Sequence, residues 1–221
     1  MNLPDNLLDD AWCWVAWAIW LPVFVRSVWR APWLRFKDSE QFNVWLGMIV
    51  LLTLIWSLKA GVKPGLSMHL LGASVFTLCF GPALAFIGLS MVLLGITLNG
   101  AAGSFAFALN SLLVAGSGVL FSQWFCQAVR HYLPRHFFVY IFVNGFFGSA
   151  LMILGVGLML TLFMGISGTY DFDYLLDEYL PYFILLGFSE AWLSGMVMTL
   201  FVIYRPEWVV TFDDSRYLSG K

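Results

Sequence analysis

MHLLGASVFTLCFGPALAFIGLSMVLLGITL, residues 68–98, is the stretch that decides the fold. Read as one helix it would be about 47 Å long at a rise of 1.5 Å per residue, against a bilayer core of about 30 Å. Gly81-Pro82 sits at its centre. Proline lacks the amide hydrogen that a continuing helix needs, so the run can instead turn there and come back as a hairpin. Each half would then be short, roughly 20–25 Å by the same rise.

Charge chooses between the two readings. With the run counted as two helices, Arg26, Arg30, Arg35, Lys37, Arg130, Arg135, Arg205, Arg216 and Lys221 fall on one side. The other side keeps only Lys59 and Lys63 among the basic residues, together with Asp5, Asp9, Asp10, Asp171, Asp173, Asp177 and Glu178. That is the positive-inside distribution. A single helix would send Arg130 and Arg135 outside and the acidic 171–178 loop inside. The hairpin is therefore expected, with about seven transmembrane helices near 9–29, 43–59, 67–80, 83–98, 104–128, 137–166 and 182–204. The N-terminal segment 1–8 would lie outside and a tail at 205–221 in the cytoplasm.

Composition agrees with a membrane solvent. The chain has 221 residues, 61% hydrophobic and 11% charged, whereas a soluble domain carries about a quarter charged residues. Uncharged runs such as 77–123 cannot be a surface in water, and in lipid the backbone must satisfy itself. Continuous apolar runs favour helices over a barrel. The expected fold class is an all-α polytopic bundle, one integral domain over 1–221, in the inner (cytoplasmic) membrane. No basic N-terminal signal precedes it, since Asp5, Asp9 and Asp10 make that end acidic.

Several chemistries are absent. The chain has no GxxxxGK[ST] loop, no HExxH, no GxSxG and no basic tract suited to nucleic acid, so uphill movement of a cargo would need energy from another subunit or a gradient. Cys13, Cys79 and Cys126 lie far apart in apolar segments and read as packed thiols. Trp12, Trp29 and Trp33 read as interfacial anchors, and the remaining tryptophans of the first two helices as lipid-facing or packing residues. His131 and His136 sit in a basic loop at headgroup level. His69 differs, because it opens an apolar helix beside Met68 after the loop AGVKPGL. Glu190, well inside the last apolar segment, is costly by at least ~2.5 kcal/mol if charged; it is either functional or a protonated, hydrogen-bonded core residue. Asn99, Asn110 and Asn144 are expected to bond between helices. The methionines show no repeated spacing and read as packing rather than copper ligation.

Residues 65–110 resemble the cobalt/nickel substrate-binding membrane components of energy-coupling-factor transporters, the CbiM/NikM type. The resemblance rests on Gly65, Ser67, His69, Leu70, Leu71, Gly72, Gly81, Pro82 and Asn110, and on the opening MNLPDNLL. It implies that the free N-terminus folds into the bundle and that Met1, Asn2 and His69 form the metal site through the terminal amine, the second backbone nitrogen and the imidazole. Ser67, Met68, Asn110 and Glu190 are then the candidate substrate-binding or polar-core residues. Nitrogen donors of this kind suit nickel, cobalt or copper, as cargo rather than a bound cofactor. Position two departs from the family pattern: Asn2 stands where the family has histidine. The resemblance implies a transmembrane coupling subunit and P-loop ATPase subunits as partners, with membrane lipid around the bundle. A membrane scaffold or assembly factor that kept the fold is the alternative. An intramembrane enzyme using His69 and Glu190 is a third reading, with no nucleophile to complete it.

Overall fold

The computed structural model describes residues 1–61 and 63–213; Arg216 and Lys221 of the charge count, with the rest of the tail beyond 213, lie outside the described residues. Among the described residues eight helices carry the fold: α1 Asp10–Arg30, α2 Ser39–Ser57, α3 Ala73–Phe80, α4 Pro82–Leu98, α5 Phe107–Tyr132, α6 Phe137–Ile166, α7 Phe172–Glu178 and α8 Tyr182–Tyr204. Between α2 and α3 a two-stranded antiparallel ribbon pairs β1 Ala60–Gly61 with β2 Ser67–Met68. Five of the helices (α1, α2, α5, α6 and α8) are long and apolar enough to cross a bilayer. Asp9 and Asp38 start α1 and α2, each accepting a backbone N–H of the first turn.

The run at 68–98 is broken. Gly81 separates α3 from α4 at φ 80°, a conformation that favours glycine, and Pro82 occupies the first position of α4, where its missing N–H costs nothing. The Phe76 ring lies against Gly88. Along a straight rod those residues would be about 18 Å apart at 1.5 Å per residue, so the chain doubles back. Every residue of α3 is buried, as are most of α4, while α1, α2 and α8 turn Trp14, Leu54, Ile184 and Phe188 outward. The two short helices thus form the centre and the long ones the lipid-facing wall. Short helices persist in a membrane where protein covers them.

An eight-residue helix leaves many backbone groups without partners, and both ends of α3 are served from elsewhere. At its far end the carbonyl of Cys79 accepts from Arg35 (2.9 Å) and Val210 N (3.1 Å), and that of Leu78 accepts from Thr211 N (3.2 Å) and the Thr211 hydroxyl (2.8 Å). Arg130 holds the Thr211 carbonyl at 2.7 Å, and Tyr140 meets the Thr211 hydroxyl at 2.6 Å. Residues 35, 79, 130, 140 and 211 therefore gather at one end of the bundle. The opposite end collects residues 1–5, 59–61, 63–70, 101–106 and 164–170. Lys59 bonds Ala101 O at 3.0 Å, Tyr170 bonds Pro64 O at 2.8 Å, and Asp5 accepts from Ser104 N and Ala106 N, both at 2.9 Å.

The expected helix at 67–80 needs correction at its start. Residues 67–72 are extended or turned, and helix begins only at Ala73. The apolar run continues through Leu70 and Leu71, so hydropathy shows no break there. What removes those residues from the helix is where their backbone bonds go: Met68 pairs with Ala60, and Leu71 and Gly72 bond Glu190.

Candidate functional site

The first three residues are buried, although the chain begins with them. Met1 and Leu3 are 0% exposed and Asn2 is 4% exposed. Asn110 explains how the arm is held. Its side-chain oxygen accepts Leu3 N at 2.8 Å and its Nδ2 donates to Leu3 O at 3.0 Å, the two-point pairing that a neighbouring strand would supply. Gly103 N adds a bond to Leu3 O at 3.1 Å, and Gly103 must be glycine because a Cβ would lie 2.5 Å from the Asp5 nitrogen. The expectation that Asn110 bonds between helices is thus corrected. Its partner is the N-terminal arm, 107 positions away.

The arm delivers the Met1 amine onto β2. The amine donates to the carbonyls of Gly65 (3.3 Å) and Ser67 and lies 3.1 Å from the Ser67 hydroxyl, which also accepts Asn2 N at 3.4 Å. Burial, with the Lys59 charge adding to it, lowers the amine to about 4. A neutral amine has two N–H donors, which the two carbonyls use, and one lone pair, to which the Ser67 hydroxyl 3.1 Å away can donate until a ligand takes it.

His69 supplies the second available lone pair. Its Nδ1 lies 3.1 Å from Leu70 O and must donate to it, so Nε2 is the bare nitrogen. Burial, then the charge of the nearby N-terminus, lowers the imidazole to about 3, with the Leu70 bond opposing. The ring packs on Trp56 at 4.6 Å between centroids, and Trp56 Nε1 bonds Leu71 O at 3.1 Å. Sequence reading gave Trp56 no role beyond packing; it orients the histidine. Asn2 Oδ1 is placed 3.4 Å from Nε2 with the buried Nδ2 unpartnered; turned about its last bond, the amide donates its N–H to the bare Nε2 instead.

Glu190 reaches the same segment from α8. Its two oxygens accept Leu71 N at 2.9 Å and Gly72 N at 2.7 Å. It clamps the chain that carries His69, with both oxygens on backbone amides rather than on the imidazole. Met68 contributes its backbone to the ribbon and packs against the core. His131 and His136 lie at the other end, on exposed residues. Cys13, Cys79 and Cys126 are buried free thiols.

Two expected outcomes follow from this geometry. Glu190→Gln leaves one of the two amides without its acceptor. It should destabilise the protein by about 1–3 kcal/mol, read as a lower thermal midpoint in detergent. Acidification should release the arm. The amine is lowered from 8.0 to about 4 on docking and His69 from 6.5 to about 3, so the undocked form binds protons that the docked form refuses. Docking is therefore strongest above pH 8, weakens as pH falls, and weakens fastest below 6.5, where both groups contribute. Acylation of the Met1 amine against pH, normalised to a free amine, reads this directly: protection should be lost on the acid side.

A groove of about 520 Å³ opens over the loop that holds the amine, lined by Asn2, Lys59, Lys63 and Ser67 among others; Met1 and His69 lie behind it and are not among its described lining residues. Among the described residues no group of three His, Cys, Asp or Glu side chains could hold a metal ion. The nitrogens gathered at this end are the terminal amine, the Asn2 backbone N–H and one imidazole.

The buried first residues and the His69 loop thus meet at one end of a helical bundle with five helices, among the described residues, long and apolar enough to cross a membrane. The chain belongs to the family described as cobalt uptake substrate-specific transmembrane region, whose model matches residues 2–208. It is a multi-pass membrane component of metal uptake. Two solved structures share the fold at 17% identity. A truncated transition metal transporter has TM-score 0.79, with 92% of this chain and 99% of that chain covered. A transition metal transporter has TM-score 0.77, with 92% and 93% covered. No curated protein matches the sequence.

Proposed function

We propose that this chain is the substrate-binding membrane component of an energy-coupling-factor transporter. Its cargo is a divalent transition-metal ion of the nickel or cobalt kind, held by the Met1 amine, His69 Nε2 and the Asn2 backbone nitrogen, which would release its proton to solvent on binding. The observation that carries the reading is the burial of the chain's own first amine on the loop bearing His69, pinned by Asn110 and Asp5. Two neutral nitrogens with available lone pairs suit nickel, cobalt and copper and suit magnesium or calcium poorly.

The α3–α4 hairpin counts as a down-and-back crossing, which gives seven crossings. Supporting this, the Gly81 turn lies at the Arg35–Thr211 end and the ribbon at the Met1 end. Positive-inside charge then places the Met1 end outside and the 205–213 segment in the cytoplasm of a cell with this inner membrane. Energy comes from separate P-loop ATPase subunits acting through a transmembrane coupling subunit, because the chain has no nucleotide-binding loop of its own.

Calorimetric titration of the purified protein with nickel, cobalt and copper tests the reading. His69→Ala should weaken binding by at least about 100-fold, the upper end of what losing even an outer-shell partner costs. Saturable binding that ignores His69→Ala would refute the site. No binding of any of the three ions would favour a scaffold that kept the fold, a reading that Asn2 in place of histidine supports.

A further inference from the structure

We propose that the groove outside Met1 and His69 takes the metal as an anionic, carboxylate-bearing chelate rather than as a bare hydrated ion. This rests on the metal-binding reading above and names the form of its substrate.

Size is the first argument. A hexahydrated ion occupies about 180 Å³ at about 30 Å³ per water, whereas the groove offers about 520 Å³. The second is charge. Lys59 and Lys63 line the groove, and none of its described lining residues is acidic. Both lysines are held in place: Lys59 by Ala101 O at 3.0 Å, Lys63 by the face of Tyr174 at 3.8 Å. Each ammonium carries three donors, more than these contacts use. The carboxylates of this end, Asp5, Asp9, Asp10, Asp171, Asp173, Asp177 and Glu178, are not among the described lining residues, so within the groove itself the two ammonium groups favour an anionic ligand.

The third argument is a donor without an acceptor. Asn2 is 4% exposed, lines the groove, and its Nδ2 has no partner. Once a metal occupies the Nε2 lone pair of His69, Nδ2 has no acceptor there whichever way the amide is turned. A carboxylate oxygen on the incoming ligand satisfies it. The fourth is valence. Tetragonal nickel or copper takes four or more donors, and the chain offers three nitrogens. An oxygen of the chelate fills the position left open and is neutralised by the lysines.

Equilibrium dialysis of full-length protein, with a free N-terminus and a C-terminal tag, against radiolabelled nickel and radiolabelled citrate tests this. Citrate serves as the probe because its nickel complex is anionic. Equimolar retention of nickel and citrate is expected. Lys59→Gln/Lys63→Gln should lower citrate retention about tenfold or more, the scale of a lost charge-assisted hydrogen bond. Lys59→Arg/Lys63→Arg should restore it. Nickel retained without citrate would overturn this inference and leave the metal site standing, as would citrate retention that ignores the Gln variant. Retention of neither would overturn both.

Discussion

A protein carrying even one extra residue ahead of Met1 is expected to lose metal binding. Met1 is 0% exposed and its amine points at the carbonyls of Gly65 and Ser67, so a preceding peptide bond meets packed protein. The arm cannot slide to make room. Leu3 is fixed to Asn110 by two bonds and to Gly103 by a third, and Asp5 is fixed to Ser104 and Ala106. Extension also turns a basic amine, whose lone pair is ready to bind, into a second peptide nitrogen that binds a metal only after losing its proton. The expected loss is about 100-fold or more, roughly 2.7 kcal/mol. A C-terminal tag is attached to the tail whose Val210 and Thr211 sit on α3 at the opposite end, and it should leave binding intact. The comparison of the two tagged forms by calorimetry is direct. Equal affinity in both would mean that the amine is not a ligand.

The second large effect is a gain. Asn2→His places an imidazole where an amide now stands 3.4 Å from His69 Nε2. Amide side chains are weak ligands for nickel, cobalt and copper, and imidazole is a strong one. Affinity for nickel should rise roughly 100-fold or more, again about 2.7 kcal/mol, measured by competition with a chelating dye. An unchanged affinity would show that the second side chain does not face the metal.

The frame of the molecule was legible from bulk properties. Bilayer thickness and the placement of arginines called for a turn at Gly81-Pro82, and the chain does break and fold back there. Helices α6 and α8 begin and end where the hydrophobic runs do. The site was legible only through family resemblance. Nothing in the composition of MNLPDNLL says that it buries, because the partners that bury it lie 64 to 107 positions away. Asn110 was visible as a polar group in an apolar segment, but its partner was not. Trp56 was one tryptophan among many, and only the fold sets it under the His69 ring. The late start of α3 was hidden because the residues that leave the helix are as apolar as those within it. Their backbone bonds to Ala60 and Glu190, not their hydropathy, set the boundary.

Anomalous diffraction from crystals of the nickel-loaded, C-terminally tagged protein tests the central claim most directly. The account predicts a single strong peak within bonding distance of both the Met1 nitrogen and His69 Nε2, beneath the Lys59–Lys63 groove. A peak bonded to neither, or a Met1 amine found outside the bundle, would contradict it.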